Sequence, residues 1–83
     1  MKYSAEIDIM PHDGLLDPQG KTVLNNLKHL HLHDVSDVRI GRHVSMQFEA
    51  NGAEEAREKV ETACQKLLAN LIVETYRYEL KEV

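Results

Sequence analysis

The amino-acid sequence predicts an α+β fold whose elements follow the order β-α-β-β-α-β. Three observations lead to this prediction. Apolar and polar residues alternate near both ends of the chain, which is typical of strands buried on one face. Two internal segments instead repeat apolar residues every three or four positions, which is typical of helices. A short connection at Gly41 separates two further alternating segments, and the whole order matches the split βαβ plan, an antiparallel sheet with both helices on one face.

Length and composition predict a single domain that spans residues 1–83. A chain of this size builds only a modest core, so self-association is expected. The chain carries 10 basic and 14 acidic residues, for a net charge of -4, and its Lys and Arg form no stripe, which argues against a nucleic-acid partner. The single cysteine, together with the lack of a signal peptide or long apolar run, predicts a cytoplasmic protein with no membrane partner.

The first strand and the first helix have clear boundaries. Residues 3–9 alternate and form the first strand, after which Pro11 and Gly14 break the pattern. Asp17 followed by Pro18 predicts a helix start, because Asp accepts free amide hydrogens and proline tolerates the first helical position. The apolar side chains of this helix fall on one stripe, which consists of Val23, Leu24, Leu27 and Leu30.

The second half of the chain repeats the plan. Residues 38–40 and 44–50 alternate on either side of residues 41–43, which predicts an antiparallel hairpin. Asn51 and Glu54 resemble a capping box that opens a second helix, whose apolar spacing continues to Asn70. The β-branched and aromatic residues of segment 72–80 then predict the last strand.

The predicted sheet has one apolar and one polar face. The helices are expected to cover Ile7, Ile9, Val38, Ile40, Met46, Phe48, Tyr76 and Tyr78. The opposite face then carries Glu6, Asp8, Asp37, Arg39, Gln47, Glu49, Arg77 and Glu79. A solvated face is the simplest interpretation, since antiparallel sheets allow it. The alternative is a polar protein interface in which the two arginines pair with carboxylates of a partner.

No arrangement of residues predicts catalysis by this chain. His29 and His33 have a spacing that zinc sites use on helices, but no third ligand accompanies them, so no metal site is predicted. His12 and His43 are expected to be solvated in turns. Cys64 lies on the apolar stripe of the second helix and is expected to be an inert core residue. Since neither a nucleophile elbow nor a phosphate-binding glycine loop is present, no cofactor is expected on this chain.

Three segments of the chain resemble the PurS family, the small subunits of phosphoribosylformylglycinamidine (FGAM) synthase. They are residues 15–21 (LLDPQGK), 38–42 (VRIGR) and 64–79 (CQKLLANLIVETYRYE). The resemblance extends over nearly the whole chain. The sequence departs from the family at Leu71, where many relatives have proline, and after the first helix, where it lacks a glycine that many relatives have.

The resemblance implies a PurS-like fold and a role in purine biosynthesis. PurS proteins are non-catalytic adaptors that join a glutaminase, PurQ, to a synthetase, PurL, so that ammonia from glutamine reaches formylglycinamide ribonucleotide. The resemblance further implies that this chain is part of a ligase only as a subunit, that PurL uses the ATP and magnesium, and that the chain forms a homodimer or homotetramer. The residues expected at the partner interfaces are Gln19, Lys21, Arg39, Gly41, Arg42 and Arg77.

Two other classes of function are compatible with the predicted topology. The first is a stand-alone regulatory domain of ferredoxin-like fold that binds a small molecule or a metal ion. The second is an independent enzyme of the dimeric α+β barrel kind. Such an enzyme needs a pocket with perturbed ionisable groups, and the sequence offers no set of residues for one.

Overall fold

The computed structural model describes all 83 residues and contains one three-stranded antiparallel sheet. Strands β1 (Lys2–Pro11), β2 (Arg42–Glu49) and β3 (Glu74–Glu82) lie in the order β2-β1-β3. Helix α1 (Pro18–His29) follows β1, and helix α2 (Ala53–Ala63) follows β2 and continues into a π-helical turn. The α+β class is therefore confirmed. None of the helices has the length and apolar character needed to cross a membrane.

The core lies between the apolar face of the sheet and α2. Ile7 on the central strand β1 pairs with Val44 on β2 and with Tyr78 on β3. Both isoleucines of β1 are fully buried, and α2 with its π-helical turn adds Val60 and Cys64 to the same cluster. Burial raises the pKa of the Cys64 thiol, which keeps it protonated and confirms its prediction as a core residue.

A carboxylate fixes α2 over β3. Glu61 accepts hydrogen bonds from the Tyr76 and Tyr78 hydroxyls, at 3.0 Å for Tyr78, and from the Gln65 side chain. These bonds, with that of Tyr76 the largest influence, hold the pKa of Glu61 below its ordinary value. The alternating aromatic residues of β3 therefore serve both as core side chains and as hydrogen-bond donors to the helix.

The predicted hairpin before β2 is wrong, because residues 38–40 form no strand. In this segment the Ile40 amide donates to Asp17 Oδ2 at 2.7 Å instead of to a neighbouring strand. Arg39 likewise turns its guanidinium to backbone carbonyls of the loop after β1. Apolar and polar residues do alternate in this segment, but a side-chain carboxylate, and not a neighbouring strand, accepts the hydrogen bond of the Ile40 amide. Four residues assigned to sheet faces therefore lie off the sheet: Asp37, Val38, Arg39 and Ile40.

Helix α1 begins at Pro18 with Asp17 as its N-cap, as predicted, but it does not lie along the sheet. Its only buried residue is Gly20. The radius of gyration is 16.5 Å, against about 12 Å for a compact domain of this length. The expectation that both helices cover the sheet is therefore met by α2 alone.

The boundaries of the later elements differ from the predicted ones. Gly52, not Asn51, is the N-cap of α2, and no side chain caps it. The side-chain amide of Asn51 instead donates to the Glu55 carboxylate at 2.9 Å, so the predicted capping box is wrong. The π-helical turn ends at Leu68, and β3 begins at Glu74 because the Asn70 carbonyl holds the amides of residues 73 and 74 in a turn.

Substitution of Gly20 tests how closely α1 approaches the segment before β2. A Cβ at Gly20 would overlap the Val38 carbonyl oxygen, which is backbone and cannot rotate away. Alanine favours a helix over glycine by about 1 kcal/mol, whereas overpacking costs about 1–3 kcal/mol or more. We expect Gly20→Ala to lower the free energy of unfolding by roughly 1–2 kcal/mol in urea titrations.

Gly52→Ser provides the control for this substitution. A Cβ at Gly52 meets no atom within 4 Å, and serine is a favoured N-cap residue. Its free energy of unfolding should equal or slightly exceed that of the wild type. Equal stability of Gly20→Ala and the wild type would contradict the close approach.

Candidate protein-interaction site

Two of the segments that resemble PurS meet each other at one end of the sheet. We call this region the motif junction; its residues are Asp17, Gly20, Arg39, Ile40 and Gly41. Asp17 Oδ1 accepts from the Gly20 amide at 3.0 Å, and Asp17 Oδ2 accepts from the Ile40 amide at 2.7 Å. The hydrogen bonds from these two backbone amides hold the pKa of Asp17 below its ordinary value, and the bond from Ile40 has the larger effect. One carboxylate thus caps α1 and anchors the segment before β2.

Arg39 and Gly41 complete the motif junction from the other side. Arg39 Nη2 donates to the carbonyl oxygens of Pro11 and His12 at 2.6 and 2.7 Å, and Nη1 lies 3.3 Å from Asp13 Oδ1. A Cβ at Gly41 would overlap the Ile9 carbonyl oxygen. Both residues were predicted at a partner interface, and the structure gives each an internal contact.

Arg42 connects the start of β2 to the turn before β3. Its Nη2 lies 2.7 and 2.8 Å from the two carboxylate oxygens of Glu74 and donates to the Leu68 carbonyl at 3.0 Å. Glu74 also accepts from the Asn70 amide at 2.8 Å. The Asn70 bond and then the Arg42 bond lower the pKa of Glu74. Arg42 therefore ties two loops together while its side chain stays 55% exposed.

The other three predicted interface residues point into solvent. Gln19 and Lys21 are exposed on the first turn of α1. Arg77 lies on the polar face of the sheet with its side chain 87% exposed, and its Nε is 3.6 Å from Asp8 Oδ2. The structure therefore gives three of the six residues close contacts with other segments of the same chain, leaves the other three on exposed surface, and does not gather the six at one place.

Two apolar surfaces are uncovered. The first is the α1 stripe, on which Val23 and Leu30 are 38% and 67% exposed. The second lies where the loop after β1 meets the turn before β3, joined by a bond from the His12 amide to the Val73 carbonyl at 2.9 Å. Its exposed residues are Leu15, Leu16, Leu71, Ile72 and Val73, which we call the end patch. The sequence predicted no such patch, because residues 72–73 have the composition of a strand.

The polar face of the sheet holds a cluster that the sequence did not predict. His43 lies within β2, not in a turn, and its ring nitrogens are 2.7 Å from Asp8 Oδ1 and 2.6 Å from Glu6 Oε2. Ser45 donates to the other oxygen of Glu6 at 2.9 Å. The expectation of a solvated turn histidine is wrong because β2 begins two residues earlier than the alternation suggested.

The remaining histidines do not gather around a common point. Helix α1 ends at His29, and His31 adopts a left-handed backbone with φ 65°, so His29 and His33 do not share a helix face. The rings of His31 and His33 lie edge to face, with centroids 6.0 Å apart. No group of three or more His, Cys, Asp or Glu side chains has a geometry that could hold a metal ion.

Comparison with known proteins gives one consistent answer. The family model described as "PurS: Phosphoribosylformylglycinamidine (FGAM) synthase" matches residues 4–82. The chain is 36% identical over 81 residues to phosphoribosylformylglycinamidine synthase subunit PurS of Bacillus subtilis (strain 168), covering 98% of this chain and 95% of that protein. It is 35% identical to the corresponding Synechocystis subunit, covering 94% of this chain and 78% of that protein.

Solved structures agree with the sequence comparison. Thermus thermophilus PurS is 40% identical, with a TM-score of 0.85 over 100% of this chain and 99% of that chain. Bacillus subtilis PurS gives a TM-score of 0.87 at 35% identity, over 96% and 99% of the two chains. A chain in the structure of PurLQS from Thermotoga maritima gives 0.88 at 30% identity, over 98% and 99%.

The role of Asp17 in the motif junction is tested by Asp17→Asn. The amide retains one acceptor oxygen but turns a donor toward one of the two backbone amides, so stability should fall. The pKa of Asp17 is lower in the folded chain than in the unfolded chain. Asp17 therefore contributes fully to the free energy of unfolding above its unfolded pKa, and this contribution is lost as pH falls through the folded pKa. We therefore expect wild type and variant to differ in urea midpoint at neutral pH and to converge in acid.

Asp37→Asn is the matched control, since Asp37 is exposed and forms none of the bonds at the motif junction. It should keep the wild-type urea midpoint at neutral pH. If the difference in urea midpoint between wild type and Asp17→Asn stayed constant from neutral to acidic pH, this would contradict the role given to the Asp17 carboxylate.

Proposed function

Because the chain belongs to the PurS family of FGAM synthase, we propose that it is the non-catalytic adaptor subunit that joins a PurQ glutaminase to a PurL synthetase. The observation that carries this proposal is the match to the chain in the PurLQS structure, which extends over 98% of this chain with a TM-score of 0.88. A fold shared from end to end leaves the same surfaces available for the same partners. The complex would convert formylglycinamide ribonucleotide to formylglycinamidine ribonucleotide in the cytoplasm.

The state of the ionisable groups supports a non-catalytic role. Asp17, Glu61 and Glu74 have lowered pKa values because internal amides, tyrosines or Arg42 bond to them. Each is therefore stabilised as a carboxylate that holds the fold together. Cys64 is fully buried, so its thiol is not presented to a substrate. We infer that PurL binds the ATP and magnesium and that PurQ supplies the nucleophile for glutamine.

An adaptor has a chemical purpose in this reaction. Ammonia released into water is diluted and becomes ammonium, which has no lone pair to attack an activated amide. A complex that keeps glutaminase and synthetase together raises the local ammonia concentration and shields the neutral molecule. The adaptor contributes by geometry alone, which agrees with a chain whose perturbed groups serve the fold.

The surface area supports self-association through the α1 stripe. The chain exposes 6080 Å², whereas a compact monomer of this mass exposes about 5,050 Å². The excess of about 1,000 Å² is close to the roughly 800 Å² that each partner buries in a typical interface. Since α1 lies off the sheet with apolar residues exposed, we propose that a second copy covers this stripe in a homodimer or homotetramer.

The six predicted interface residues divide into two roles under this proposal. Gln19, Lys21 and Arg77 contact the partner subunits directly, because their side chains are exposed. Arg39, Gly41 and Arg42 act indirectly by holding the loops in place through their internal contacts.

Leu27→Glu tests the α1 stripe as a self-association surface. Leu27 is half-buried on the stripe, and a carboxylate there would be desolvated when a second copy binds. We expect the dissociation constant for self-association to rise at least about tenfold, equivalent to 1.4 kcal/mol, in analytical ultracentrifugation. Asn26→Glu, one position away on the exposed side of α1, should keep the wild-type assembly. Equal assembly of both variants would contradict the proposal.

Lys21→Gln and Arg77→Gln test contacts to the partner subunits in a reconstituted complex with PurL and PurQ. Loss of about 1 kcal/mol at an interface weakens assembly about fivefold, so glutamine-dependent turnover should fall by that factor at limiting adaptor concentration. Turnover with added ammonia should not change, because it does not need the glutaminase. Lys66→Gln, another exposed lysine, is the control. Wild-type turnover with glutamine in both test variants would remove these residues from the interface.

A further inference from the structure

The polar face of the sheet holds one imidazole between two carboxylates. His43 Nδ1 is 2.7 Å from Asp8 Oδ1, and His43 Nε2 is 2.6 Å from Glu6 Oε2. Ionised carboxylates only accept hydrogen bonds, and a neutral imidazole carries a single N–H. Both short contacts are therefore hydrogen bonds only when the ring is an imidazolium. The geometry itself specifies the protonated form.

The groups around this cluster come from all three strands. From β3, Arg77 lies 3.6 Å from Asp8, while Glu79 pairs in register with Glu6 and Lys81 lies further along the same face. The only other polar contact comes from Ser45 on β2. The recess that the cluster lines has a volume of about 410 Å³ and contains no side chain from either helix. With His43 charged, three carboxylates face three cations; with His43 neutral, three carboxylates face two.

The position of His43 makes its charge matter to the fold. β2 is an edge strand whose only neighbour in the sheet is β1. Glu6 and Asp8 lie on β1, so both bonds of the ring cross the boundary between β2 and its only neighbour in the sheet. Cross-strand pairs of opposite charge stabilise such a boundary.

We propose that Glu6, Asp8 and His43 form a proton-dependent clamp, which fastens β2 to β1 and sets the charge of the polar sheet face. When the proton leaves, one of the two cross-strand bonds is lost and the face gains a net negative charge. Complex formation through this face then becomes sensitive to pH, independently of which partner binds there.

The sign of the pH dependence follows from the bonds. The Asp8 and Glu6 hydrogen bonds raise the pKa of His43, and the His43 bond is the main cause of the lowered pKa of each carboxylate. The histidine contribution to stability is complete below its unfolded value of about 6.5 and is lost as pH rises through the folded pKa. The carboxylate contributions are complete above about 4 and are lost as pH falls. The clamp is therefore complete only in mildly acidic solution, between about pH 4 and about pH 6.5, and it weakens as pH rises through the folded pKa of His43.

The experiment compares His43→Gln with wild type in urea titrations at about pH 6 and about pH 9. At the lower pH the urea midpoint of the wild type should be higher than that of the variant. This difference in midpoint should become smaller at the higher pH. His29→Gln, at the exposed end of α1, should show no such change with pH. A gap that is the same at both pH values would overturn the proposal.

A second measurement decides the matter even if His43→Gln does not fold. In an NMR titration of the wild type, the His43 ring should titrate above its ordinary midpoint of about 6.5. In Glu6→Gln and in Asp8→Asn the midpoint should move down, since each removes one acceptor charge. A wild-type midpoint at or below the ordinary value would overturn the clamp.

Discussion

The carboxylate of Asp17 joins two parts of the chain that no helix or strand joins. One oxygen binds the Gly20 amide inside α1, and the other binds the Ile40 amide just before β2. Charge-assisted bonds of this kind are stronger than bonds between neutral groups. Two further contacts support this carboxylate: Gly20 packs against Val38, and Arg39 bonds to the loop after β1. Together they set the direction in which α1 leaves the sheet. Because α1 points away, its apolar stripe stays uncovered in the single chain.

This arrangement changes what the recognisable motifs mean. Gly20, Arg39 and Gly41 belong to segments that mark the family, and each is in contact with backbone of the same chain. The motifs therefore define how α1 and β2 are positioned. An adaptor requires such rigidity, because its function depends on the relative placement of its binding surfaces.

Much of the fold could be predicted from the sequence because local rules determine it. Asp17 and Pro18 start a helix through capping and a fixed φ, and the alternation in β1 matches a strand buried on one face. Val38 and Ile40 alternate equally well, yet they form no strand. Alternation of apolar and polar residues indicates which side chains are half-buried. It does not indicate whether a neighbouring strand or a side chain accepts the hydrogen bonds of the backbone amides. The position of His43 was missed for a related reason, since β2 begins at Arg42 although the alternation in sequence begins only at Val44.

The exposed apolar surfaces were partly predictable. The α1 stripe follows from helical spacing, whereas its exposure depends on the direction of α1, which only the Asp17 bonds reveal. The end patch was missed because it joins two loops that lie far apart in sequence. Composition alone does not show which loops meet in space.

Hydrogen exchange at the Ile40 amide tests the motif junction most directly. This amide lies outside every strand, so its only protection is the bond to Asp17. We expect slow exchange in the wild type, fast exchange at Ile40 in Asp17→Ala, which leaves no acceptor for this amide, and unchanged exchange at β1 amides that pair with β3. Exchange of the wild-type Ile40 amide at the rate of an open loop would contradict the junction and the direction it gives to α1.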